Sequence, residues 1–151
     1  MGQVQERDRI LARIESDRNV QKMKDFIQHG RVSTLEHCEN VARLSYEIDR
    51  HLSLDSDINV LMTGAMLHDF YLYDWHEGGD GSHYLHGFTH AERACENAER
   101  LFGIDGKTAH VIYCHMWPLN PERIPMSREA WIVCIADKLV SLHESLFRRH
   151  I

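Results

Sequence analysis

Apolar residues recur along this chain at intervals of three and four, the spacing of one buried face of a helix. Ile10, Ile14, Val20, Met23 and Ile27 predict a first helix over about residues 6–28. Ser33-Thr34-Leu35-Glu36 has capping-box spacing and opens a second helix to about His51, with His37, Val41, Leu44 and Ile48 inward. Asp55 or Ser56 caps a third, ending near Phe70, with Ile58, Leu61, Met62 and Ala65 inward. Thr89-His90-Ala91-Glu92 repeats the capping box and starts a fourth, whose inner row is His90, Ala94, Ala98 and Leu101 and which Gly103 stops. Residues 107–116 predict a short fifth helix ended by Pro118, and Ser127 caps a sixth running to about Arg148. No stretch alternates with the period of a half-buried strand. The pattern predicts an all-α bundle of about six helices, a single domain over residues 1–151.

Composition narrows the class. A chain of 151 residues, 43% hydrophobic and 26% charged, is an ordinary globular domain. A net charge of −6 excludes a general nucleic-acid binder, which needs clustered Lys and Arg. Apolar runs such as Trp131 to Ala136 are too short to span a bilayer, so no membrane partner is expected. Met1 to Ile14 lacks the apolar centre of a signal peptide, and Glu6 stands where a myristoylation site needs Ser or Thr, so a cytoplasmic location is expected. Cys38, Cys95, Cys114 and Cys134 form no CxxC pair and read as reduced, buried thiols. Too few apolar positions fall outside the predicted helices to define an oligomer interface.

Histidine is the unusual count, at 12 with no two adjacent. His37 continues the inner stripe of the second predicted helix, and His68 and Asp69 lie on the apolar side of the third. His90 leads the inner row of the fourth, His115 follows Val111 and Ile112, and Asp137 interrupts Ala130, Val133 and Val140. A lone inward histidine is commonly a core residue bonded to a carbonyl. Six polar side chains converging from five helices are too costly to bury without a cation. Imidazole and carboxylate without thiolate suit one or two divalent ions among Fe, Mn, Zn, Co and Mg. Asp69, at a helix end beside His68, is the natural bridge between two such ions. His29, His51, His110, His143 and His150 read as surface or cap residues, and His76, His83 and His86 stay open in the long loop Tyr71–Thr89. That loop's glycines and aromatics suit a cover or the wall of a pocket.

The order His37, His68-Asp69 and Asp137, closed by Ala136-Asp137-Lys138, resembles the H…HD…D signature of the HD-domain metal-dependent phosphohydrolases over about residues 30–145. His90 and His115 resemble the additional histidines of the dinuclear subgroup. The resemblance implies an all-α fold and hydrolysis of a phosphorylated small molecule, a nucleotide or related phosphoester, by attack of a metal-bound hydroxide. It gives His68 and Asp69 catalytic roles. Lys138, next to a ligand, is a candidate for reaching a phosphate, and His86, Trp117 and Asp74 are candidate substrate contacts. The Gly-Tyr-Pro motif of the cyclic-dinucleotide branch is absent. Leu72 and Tyr73 stand where the alarmone and 5′-nucleotidase branches carry acids, Asp74 being the nearest acid. Two other classes share the expectation of a metal: a di-iron oxygenase on the same fold, and a non-catalytic nucleotide- or metal-binding regulatory module.

Overall fold

The residues from Val60 to Leu67 are buried on every side, which places the helix that carries them, α4 (Ile58–Leu67), at the centre of the bundle. The computed structural model describes residues 2–72 and 82–147, the side chains of residues 82–88 excepted. Around α4 pack α1 (Gln3–Glu15), α3 (Thr34–Leu52), α5 (Ser82–Phe102), α6 (Gly106–Cys114) and α7 (Arg128–Phe147). Asp57 opens α4 by accepting the backbone N–H groups of Asn59 and Val60, and Ser33 opens α3 by accepting that of Glu36. Gly64 lets α6 approach closely, since a Cβ there would lie 2.6 Å from Val111 Cγ1. All four cysteines are free and buried, and no described helix is long and apolar enough to cross a membrane.

The predicted helix over residues 6–28 is a broken series. α1 ends at Glu15, Asp17 caps the single turn α2 (Arg18–Gln21), and a 3₁₀ turn covers Lys22–Asp25. The apolar spacing runs through the break, so Ile10, Ile14, Val20 and Met23 are all buried, while Asp17 re-caps the chain and turns it. A small antiparallel hairpin follows, β1 (Ile27–His29) with β2 (Val32–Ser33), turned at Gly30 with φ +58°. It was not expected, because strands this short carry no alternation to read. Ile27, expected inside, is 40% exposed on it.

Three other expectations shift. α5 begins at Ser82, so Thr89 lies within the helix and part of the expected loop is helical. Leu101, at its far end, is exposed. α4 and α6 end at Leu67 and Cys114, a few residues early, with His68 and His115 as the capping residues.

Candidate metal centre

The ends of α4 and α6 use the same local device. His68 Nδ1 donates to the carbonyl of Ala65 at 2.6 Å, and His115 Nδ1 donates to that of Ile112 at 2.7 Å. Each ring thereby donates to a carbonyl in the last turn of its helix, that of Ile112 also receiving the backbone N–H of His115 at 3.5 Å. Each is also locked in the tautomer whose Nε2 lone pair faces inward. His37, in the first turns of α3, is held likewise from behind: its Nδ1 lies 2.8 Å from Glu144 Oε2.

These nitrogens meet two carboxylates. His37 Nε2 lies 2.9 Å from Asp137 Oδ1 and 3.4 Å from Asp69 Oδ2, and His68 Nε2 lies 3.3 Å and 3.2 Å from the same two oxygens. On the other side of Asp69, Oδ1 is 3.2 Å from His90 Nε2 and 3.3 Å from His115 Nε2, and those nitrogens are 3.0 Å apart. One carboxylate therefore faces two donor groups, His37/His68/Asp137 through Oδ2 and His90/His115 through Oδ1. The structure brings together all six residues singled out as ligands.

The set fits a divalent cation on three counts. Ligand atoms held about 2.1 Å from an ion are separated by about 3.0 Å in an octahedron and about 3.4 Å in a tetrahedron, and the distances above fall in that range. Asp69 Oδ1 is fully buried yet accepts no hydrogen bond, although two imidazole nitrogens stand within 3.3 Å. A buried carboxylate oxygen without a partner is costly, and a cation would satisfy it.

Electrostatics gives the third count. Burial raises the carboxyl pKa of Asp69 and Asp137, but the neighbouring histidines outweigh it and hold both well below the usual range. Burial likewise opposes charge on His37 and His68, but the carboxylates reverse it, lifting His37 to about 10 and His68 well above its ordinary value. The metal-free centre thus draws in protons where cations would sit. His115 is pushed down by burial and stays neutral, as a ligand must be. Burial raises the thiols of Cys95, Cys114 and Cys134, Cys95 to about 12, so these three stay protonated outside the donor set.

Two supporting residues were missed in the sequence. Glu144 is a fully buried carboxylate that also accepts Asn40 Nδ2 at 3.2 Å. Its signal was legible: it lies two turns beyond Asp137 on the inward face that carries Val133 and Val140. Gln28 donates from Nε2 to Asp69 Oδ2 at 2.9 Å, while its Oε1 accepts the Tyr71 hydroxyl at 2.6 Å. No local signal marks Gln28, because the contact crosses 41 residues and depends on the hairpin. His29 is a correction as well: it is half-buried, with its ring edge-on to His37 at 5.5 Å. His110 is also half-buried and accepts the Met126 N–H at 2.9 Å.

Of the remaining candidates, Lys138 turns its ammonium to the carbonyl of His115 at 3.0 Å, tying α7 to the end of α6. Trp117 is half-buried and meets Trp131 edge-on at 5.2 Å. His86 and Asp74 lie outside the described side chains.

No curated protein and no solved structure matches the chain. A family model described as HD domain matches residues 34–142, a span that holds all six ligand candidates and leaves Gln28, His29 and Glu144 outside. With well over half its length matched, the chain belongs to the HD-domain superfamily of metal-dependent phosphohydrolases.

Proposed function

We propose that this chain hydrolyses a phosphorylated small molecule, a nucleotide or related phosphoester, with a pair of divalent ions held across Asp69. The reading is carried by one observation: the two oxygens of Asp69 each face a separate cluster of histidine nitrogens. His37, His68, Asp69 and Asp137 would hold one ion, and Asp69, His90 and His115 the other. Bound there, the ions supply an acidified water and positive charge opposite the phosphoryl oxygens.

Charge supports a pair over a single ion. Asp69, Asp137 and Glu144 bury three negative charges, so one divalent ion leaves the centre negative and two leave it positive. Only the second arrangement attracts a phosphate. Approach is from the side of Asp137 and His90, which are 8% and 5% exposed, while His37, His68 and His115 are sealed at 0%. Gln28 keeps Asp69 oriented, and the two carbonyl-bound histidines keep their lone pairs inward, so the donors need no rearrangement on loading.

The test is elemental analysis of the purified chain, followed by a phosphate-release screen of phosphorylated metabolites with Mn, Co, Fe and Mg. Bound divalent metal and phosphate release are expected, both lost in Asp69→Ala with the helical circular dichroism retained. Oxygen uptake without phosphate release, or unchanged turnover in Asp69→Ala, would overturn the reading.

A further inference from the structure

The two faces of α7 are unlike. Asp137 and Glu144 point into the core, whereas Trp131, Ile135, Leu139, Leu142, Leu146 and Phe147 are 37% to 66% exposed. At about 100° per residue, the first five fall within an arc of about 80°, on the side of the helix opposite the two carboxylates. The stripe runs about 22 Å along the axis at 1.5 Å per residue. Half-buried Trp117 extends it sideways through its edge contact with Trp131. Side chains of this size, exposed to these fractions, present on the order of 600 Å² of apolar surface, as much as the largest patch a monomer ordinarily shows.

We infer that this stripe is the interface of a two-fold dimer of the chain, α7 packing antiparallel on α7 of a second copy. Burying the stripe on both copies removes on the order of 1,200 Å², the threshold of a specific interface. The sequence of the stripe is self-complementary. An antiparallel copy sets Trp131 against Leu146 and Ile135 against Leu142, with Leu139 beside its own counterpart at the axis. Among the described residues, like charges do not oppose this. The exposed polar residues of α7 among those described are Arg128, Lys138, His143 and Ser145, and the Lys138 ammonium is turned inward to the carbonyl of His115. A net charge of −6 disfavours an anionic membrane as the occupant. The inference does not depend on the reaction proposed above, since the stripe and the metal centre lie on opposite sides of α7.

Sedimentation velocity on the full chain tests it. At about 100 µM the expected species has twice the 17.7 kDa chain mass, and Leu139→Glu/Leu142→Glu weakens self-association by at least about 100-fold with metal content and helicity unchanged. A monomer at that concentration, whether or not it binds lipid vesicles, overturns the inference, as does a double variant that still dimerises. Should the double variant not fold, Leu139→Cys under diamide decides. It is expected to give a disulfide-linked dimer faster than Val4→Cys, a control of similar exposure on α1. Equal rates at the two positions overturn the inference.

Discussion

Replacing Glu144 with glutamine keeps the shape of a fully buried side chain and removes its charge. Glu144 Oε2 accepts the Nδ1 proton of His37, and Oε1 accepts an amide proton of Asn40. Asn40 is half-buried, so its amide can turn to accept from the new NH₂ group, leaving the glutamine carbonyl on His37. What changes is the field on the ring. Burial works against charge on His37, yet the hydrogen bonds to Asp137 and Glu144 lift it to about 10 from 6.5, a net preference of about 5 kcal/mol for the cation. If Glu144 supplies a third to a half of that, its loss lowers the His37 pKa by one to two units, or about 1.4–2.7 kcal/mol. A metal ion on Nε2 feels the same field, so affinity should fall about 10- to 100-fold. The proton that titrates sits on Nε2, where a metal would bind, so near pH 7, below the His37 pKa of both proteins, weaker proton competition returns most of the loss, and the difference emerges as pH rises. The assay is metal affinity in chelator-buffered zinc near pH 7 and near pH 9, with the His37 pKa of the metal-free protein read by NMR. A variant with parental affinity near pH 9 and an unshifted His37 would refute the reasoning.

Metal-free protein should be most stable near pH 6.5, because the depressed His115 and His29 resist the charge that the unfolded chain gains as pH falls below that value. The raised His37 and His68 contribute fully below their unfolded pKa and lose that contribution as pH climbs toward about 10, whereas the depressed Asp69 and Asp137 lose theirs as pH falls below about 4; thermal melts across pH check both limbs. Saturating metal should reverse the alkaline limb, because binding requires the same histidines deprotonated. Gly64→Ala drives a methyl into Val111 and should cost about 1–3 kcal/mol in urea unfolding, reduced by up to about 1 kcal/mol of helix propensity; a variant more stable than its parent would show that α4 and α6 can separate freely. Inorganic phosphate should bind only after metal loading, and calorimetry showing equal binding without metal would contradict the negative centre. His143→Ala, an exposed residue of α7, should leave metal content and turnover unchanged.

The candidate ligand set could be read from the sequence because each member interrupts an apolar stripe. Asp137 stands between Val133 and Val140, and His37 sits one turn before Val41, so periodicity alone turns them inward. Their meeting point could not be read, because it depends on how five helices cross and where α4 and α6 end. Local chemistry misled where caps compete: Thr89-His90-Ala91-Glu92 has the letters of a helix start, but α5 is already helical from Ser82. Asp17 gives no warning in the pattern, because the apolar spacing continues across it, although its side chain takes two backbone N–H groups and breaks the predicted helix. Gln28 reaches Asp69 only because β1 turns beside the end of α4, a placement no helical pattern contains.

Two helices end at this centre, and the direction of those ends explains why histidine occupies both. The C-terminal end of a helix carries partial negative charge on carbonyls without partners. α4 and α6 both bring such ends to Asp69 and Asp137, which are themselves held ionised. A lysine capping either helix would neutralise the field and remove the reason for a cation to enter. An apolar residue would remove the side-chain donor from the carbonyl of Ala65 and leave that of Ile112 with only the backbone N–H of residue 115, at 3.5 Å. Histidine does what neither can: Nδ1–H closes the helix while Nε2 stays a neutral donor aimed at the carboxylates. The negative field is thereby preserved at the point where the lone pairs converge, and positive charge has to come from outside the chain, as protons in the metal-free protein or as divalent ions when it is loaded.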